Sequence, residues 1–137
     1  MTIEGSWYNE LGSTMEIRQE GSTISGTYCT AVGDAEGIYF LLGQINTKPS
    51  QGGQAVAWCV VWTNTSGHSD STTSWCGQYQ TVEGIEEIST FWLLTSEQLP
   101  ANDWRATNIG QDTFSRSKPT PEQIASANKR KATSHPA

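Results

Sequence analysis

Apolar and polar residues alternate with a period of two along most of this chain. The segments "GSWYNEL", "TMEIRQE", "TISGTYCTA", "GIYFLLGQI", "QAVAWCVVWTN", "TTSWCGQYQ", "EISTFWLLT" and "DWRATNIGQDTFSR" each read as a strand. Turn formers separate them: Leu11-Gly12-Ser13, Glu20-Gly21-Ser22, Val32-Gly33-Asp34, Pro49 to Gly53, Ser66-Gly67 and Glu83-Gly84. Connections this short exclude parallel crossovers, so consecutive strands pair as hairpins. The pattern therefore predicts an all-β fold, an eight-stranded antiparallel up-and-down β-barrel over residues 1–118, which leaves no sheet edge exposed. Residues 119–137, "PTPEQIASANKRKATSHPA", are polar and end basic. Pro121 is placed to begin a short helix there, within a tail expected to be mostly mobile.

Parity assigns the faces. Trp7, Asn9 and Leu11 share one side, as do Tyr28 with Thr30, and Trp58 with Val60 and Trp62. Ser71, Thr73 and Trp75 follow, then Thr90, Trp92 and Leu94. This face mixes indoles with hydroxyls and amides, a poor hydrophobic core but a good wall for a small polar ligand. The opposite face carries Cys59, Val61, Phe91 and Leu93, and strands apolar on both faces are covered on both. The lumen covers one side; a second subunit is the expected cover of the other. A barrel of eight strands has room for about one small ligand.

The totals narrow the function. Of 137 residues, 16% are charged and 35% apolar, with a formal net charge of −6. That balance argues against nucleic acid as a partner, because phosphate recognition needs a basic surface. No run approaches the roughly 18 apolar residues of a membrane span, so no membrane partner is expected. "MTIEGSWYNE" lacks the basic start and apolar stretch of a signal peptide, which leaves open an internal protein or a removed leader. There are six tryptophans, more than a small barrel packs easily without a ligand or a subunit to share them. With three cysteines, no CxxC and two histidines, a metal site is not expected. Cys59 and Cys76 lie on consecutive strands and on the outward face, near enough to opposite each other that either a disulfide or two reduced thiols is open. His68 reads as a solvated loop residue, Asn64-Thr65-Ser66 as a sequon, and Glu83, Glu86 and Glu87 as a solvated loop.

Five motifs together resemble the avidin and streptavidin family of biotin-binding barrels: "GSWYNELGST", "GTYCTAVGDAE", "AWCVVWTNTSGHSDSTTSWCGQY", "FWLLTS" and "DWRATNIGQDTF". The streptavidin-like bacterial and fungal members look nearest. The resemblance implies a non-catalytic binder with biotin as ligand and no cofactor. In it, Asn9, Ser13 and Tyr28 stand where the family supplies donors to the ureido carbonyl, and Thr30 and Asp112 where it supplies acceptors for the ring N–H groups. Trp62, Trp75 and Trp92, with Leu11 and Leu94, match the apolar box, and Thr73 the hydroxyl that meets the thioether. Ser71 and the backbone of Asp34 match the carboxylate contacts, while Val32, Gly33 and Ala35 fall in the family's closing loop. Trp104 matches the tryptophan that a tetramer lends to a neighbouring subunit, so a homotetramer is implied, as is secretion.

Two other readings compete. A hydrolase built on Asp112 would need a His, a Cys or a second acid on the inward face, and parity provides none. A lipocalin-like carrier for another small apolar ligand would need a greasier lumen than this one.

Overall fold

The computed structural model describes residues 2–31, 37–63 and 70–130. In it the alternation becomes eight strands: β1 (Gly5–Asn9), β2 (Thr14–Glu20), β3 (Thr23–Cys29), β4 (Tyr39–Ile45), β5 (Gln54–Trp62), β6 (Ser71–Val82), β7 (Ile85–Ser96) and β8 (Thr107–Ser115). Each pairs antiparallel with the next, and β8 returns to β1, closing an up-and-down barrel. The closure is uneven. β6 and β7 pair from Ser71↔Ser96 through Val82↔Ile85, whereas β1 and β8 meet at Tyr8↔Ser115 and Asn9↔Phe114. The Glu10 carboxylate extends this short seam by accepting the Thr113 amide at 3.1 Å.

Strand β5 buries alternate residues from Gln54 to Trp62, the pattern of a strand with one face in the lumen. Trp7, Tyr28, Trp58, Trp62, Trp75, Trp92 and Phe114 point inward and are buried. The outer face is as apolar as parity predicts: Phe40 is 87% exposed, Val61 62%, Phe91 56% and Ile109 66%. These residues lie on strands β4 to β8.

Trp7 closes one end of the lumen. Its indole donates to the Ile3 carbonyl at 2.8 Å, Tyr79 meets it edge-on, and the Arg116 guanidinium stacks 4.0 Å from its ring centroid. Glu86 ties this plug together, pairing with Arg116 at 3.2 Å and accepting the Tyr79 hydroxyl at 2.9 Å. Burial pushes the Glu86 carboxyl up, but the Arg116 and Tyr79 hydrogen bonds outweigh it and leave it below its usual value. Glu83 stands in an exposed turn as expected, but Glu86 and Glu87 belong to β7 rather than to a solvated loop.

Two further expectations are corrected. Cys59 faces Ser74 and Cys76 faces Ala57, so the two cysteines are offset by two residues rather than opposed, and all three thiols are free. Trp104 lies not on β8 but on a 3₁₀ helix, Pro100–Arg105, because Pro100 and Asn102 favour a tight turn there. The tail holds the helix α1 (Pro121–Arg130), which begins at Pro121. Its start is a capping box: the Gln123 amide donates to Thr120 Oγ1 at 3.1 Å and the Thr120 amide to Gln123 Oε1 at 2.9 Å. Pro121 fits the first helical position, and Lys129 and Arg130 suit the negative end of the dipole. Residues 131–137 lie outside the described residues.

Candidate functional site

Strand register assembles the inward row. Trp58 pairs across to Trp75, Val60 to Thr73 and Trp62 to Ser71. On the next strand Trp75 pairs with Trp92 and Thr73 with Leu94, and β8 then sets Asp112 against Thr90 and Gly110 against Trp92. Glycine is required at 110. A Cβ there would sit 2.1 Å from Trp92 Cζ2, inside the indole that fills the space.

Tyr28, Tyr39, Trp58, Trp62, Trp75 and Phe114 form one connected group of ring contacts. Tyr28 stacks on Trp75 with centroids 4.9 Å apart, and Trp58 stacks on the same Trp75 at 5.7 Å. Trp62 meets Trp75 edge-on at 6.3 Å and Tyr39 edge-on at 5.0 Å. Such offset and edge-on pairs follow the ring quadrupoles and fix each plane. Trp62 is locked further by donating its indole N–H to Thr73 Oγ1 at 2.7 Å.

A polar cluster sits beside this group. Asn9, Ser13, Tyr28 and Asp112 are each no more than 1% exposed. Asn9 Oδ1 accepts the amides of Leu11 at 3.0 Å and Ser13 at 2.9 Å, which shapes the turn after β1. Ser13 Oγ accepts the Ala31 amide at 2.9 Å, tying that turn to the end of the next hairpin. Asp112 Oδ2 accepts the Trp75 indole at 2.9 Å, and the Thr90 hydroxyl donates to the Asp112 carbonyl at 2.9 Å. Burial first, then the Asp112 charge, hold the Tyr28 hydroxyl well above its ordinary pKa of 10.0, and the neighbouring Ser13 hydroxyl offsets only part of this. Tyr28 is therefore a protonated donor at neutral pH.

Two donors in this cluster lack a well-aligned partner. Asn9 Nδ2 is buried with no hydrogen bond among the described residues, and Tyr28 Oη has the Ser13 hydroxyl near it but no well-aligned hydrogen bond. A buried polar group left unsatisfied costs about 1–3 kcal/mol. A fold that keeps two such donors beside an acidic acceptor and a tryptophan wall is arranged to hydrogen-bond something small and polar.

The structure brings together Asn9, Leu11, Ser13, Tyr28, Trp62, Thr73, Trp75, Trp92 and Asp112 as buried lumen residues, and leaves Thr30, Ser71 and Leu94 half-buried at the margins. Trp104, 82% exposed on the 3₁₀ helix, is not part of this buried group. Val32, Gly33, Asp34 and Ala35 lie outside the described residues, as do Asn64 to Ser66 and His68. Sequence reasoning missed the supporting roles of Trp58, which backs Trp75, and of Thr90, which anchors Asp112. Parity had put both on the inward face; only the cross-strand register gives them partners. Among the described residues no cluster of His, Cys, Asp or Glu is suited to a metal, and no helix is long and apolar enough to cross a membrane.

Comparison with known proteins is decisive for kinship. The avidin family model matches residues 1–117. The chain belongs to the avidin family. It is 37% identical over 122 residues to avidin-related protein 4/5 of Gallus gallus, covering 84% of this chain and 77% of that one. To avidin of the same organism it is 34% identical over 122 residues, 84% of this chain and 78% of that one. Avidin-related protein 3 is 33% identical over 126 residues, with 88% and 81% covered. Membership of the avidin family implies biotin binding.

Proposed function

We propose that this avidin-family chain binds biotin non-covalently in its lumen. The observation that carries the reading is the buried polar cluster of Asn9, Ser13, Tyr28 and Asp112 abutting Trp75. The ureido group of biotin has one carbonyl oxygen that can take several donors and two N–H groups that need acceptors. Asn9 Nδ2, Tyr28 Oη and the Ser13 hydroxyl are the donor set; Thr30 and Asp112 are the acceptor set. Donors at one end of the ureido group and a carboxylate at the other polarise it, and such hydrogen bonds strengthen one another where water is excluded. Trp62, Trp75 and Trp92, with Leu11 and Leu94, enclose the rings and thioether, and Thr73 faces the sulfur. Ser71 and the backbone of Asp34, with Val32, Gly33 and Ala35 beside it, receive the valerate end. No bond is made or broken.

The active form is a homotetramer in which Trp104 reaches the lumen of a neighbouring subunit, and the apolar outer face of strands β4 to β8 supplies the contact. Within the family, the relatives it matches are avidin-like, which corrects the streptavidin-like expectation, and kinship with them supports secretion.

Calorimetric titration with biotin tests the reading. One biotin per chain is expected, the ligand is recovered chemically unchanged, and a fatty acid does not displace it. Absence of binding, or displacement by the fatty acid, would show that the lumen serves a different ligand.

A further inference from the structure

The chain does not leave the barrel after β8. Beyond Ser115 it runs back along the β1–β8 seam, and a cleft of about 260 Å³ separates Asn9, Glu10 and Thr113 of the seam from Lys118, Pro119 and Gln123 on the approach to α1. The helix α1 then lays Ile124 over Gly12. A Cβ built on Gly12 would come within 3.0 Å of Ile124 Cδ1 and 3.6 Å of its Cγ1, and within 4.0 Å of the Ala31 Cβ. Ala127, on the same face of the helix one turn later, is 1% exposed, so the helix is packed down and not merely adjacent.

Gly12 stands at φ +89°, a left-handed conformation that glycine adopts without strain. It separates Leu11 from Ser13, the two residues whose amides hold Asn9 Oδ1. The turn has little sheet to steady it on one side, because β1 and β8 pair only at Tyr8↔Ser115 and Asn9↔Phe114. Ile124 thus lies over Gly12, between the two residues that hold Asn9 Oδ1.

We infer that α1 is a strap across the barrel seam and that Ile124 is a positioning residue, holding the Asn9–Ser13 turn in the geometry that meets the ligand. The inference rests on the biotin site proposed above. It assigns the tail a part in binding although none of its residues touches the ligand.

The test uses the full chain with Ile124→Ala and Ile124→Leu. Biotin release should be roughly fivefold faster from Ile124→Ala, a moderate packing loss, and near wild type for Ile124→Leu. If Ile124 acts through the turn, Ile124→Ala in a Ser13→Ala background should change release by less than about twofold, the non-additivity of coupled sites. Amide hydrogen exchange at Leu11 and Ser13, measured without biotin, should quicken in Ile124→Ala and return in Ile124→Leu. Unchanged release and exchange in Ile124→Ala, or the same fold-change in both backgrounds, would overturn the inference. Wild-type protein that bound no biotin would instead remove the ligand reading, and the exchange measurement alone would then decide whether Ile124 holds the turn.

Discussion

Trp75 and Asp112 are 37 residues apart in the chain, and the indole Nε1 of one donates to the carboxylate Oδ2 of the other at 2.9 Å. The bond joins the apolar wall of the lumen to its polar end, so neither can shift without the other. Thr90 holds the Asp112 main chain from the neighbouring strand, which leaves the carboxylate little freedom to turn away.

Asp112→Ala should therefore lose both an acceptor for the ligand and the anchor of the Trp75 ring. A hydrogen bond to a charged group contributes about 1.5–3 kcal/mol. Biotin affinity should fall at least about tenfold in calorimetry, while circular dichroism stays that of a folded barrel. Affinity equal to wild type would mean that Asp112 does not face the ligand.

Tyr28 links the site to alkaline stability. Its pKa is raised in the folded chain, mainly by burial, so the folded state holds the phenolic proton more tightly than the unfolded chain does. The resulting stability is complete below the unfolded value of 10.0 and is lost as pH climbs from there toward the folded value. Tyr79, raised by burial in the same direction, adds to the slope. Denaturant midpoints should be flat from neutral pH to about pH 10 and decline above it. Tyr28→Phe should make that decline shallower, and an identical decline in the variant would contradict the assignment.

Trp104 is a large apolar side chain standing 82% exposed on a short 3₁₀ helix. Aromatic anchors of this kind are where interfaces concentrate their energy. Trp104→Lys should speed biotin release and shift the assembly toward dimers by light scattering, and biotin should oppose the shift, since a ligand shared across subunits favours the associated state. A wild-type protein that stays monomeric at micromolar concentration, with and without biotin, would exclude a cross-subunit role.

The cysteines should titrate as three free thiols in denaturant. The register offsets Cys59 and Cys76 by two residues, and diagonal neighbours on adjacent strands stand about 7–8 Å apart, beyond disulfide reach without backbone movement. A count of one thiol would mean that the strands slip from this register.

Much of the barrel was legible because burial repeats every second residue. Strand β5 alternates without a break from Gln54 to Trp62, so its inward set could be read from the sequence alone. Parity says nothing about register, however. The same alternation that placed Cys59 and Cys76 outward could not tell that their partners are Ser74 and Ala57. Trp104 misled for a related reason: its neighbours Trp104-Arg105-Ala106-Thr107 continue an alternating pattern into β8, but the turn chemistry of Pro100 to Asp103 governs the first part of it. The tail's helix was readable at its start, from Pro121, but not its Thr120–Gln123 cap or the seating of Ile124 over Gly12. Thr90 was visible on the inward face, yet its service to Asp112 belongs to two strands at once.

The seam between β1 and β8 also orders the folding of the molecule. Every other strand pairing joins neighbours in the chain and costs little loop entropy, whereas the Glu10–Thr113 bond closes 103 residues. Local hairpins of low contact order can zip in succession, and the long-range closure follows them. Asn9 belongs to that last pairing, opposite Phe114. A chain with its tryptophan-bearing hairpins already formed, but its first and last strands still apart, would have an aromatic wall and no complete polar end. The capacity to recognise a ligand thus arrives with the final step of topology, when the two ends of the chain meet.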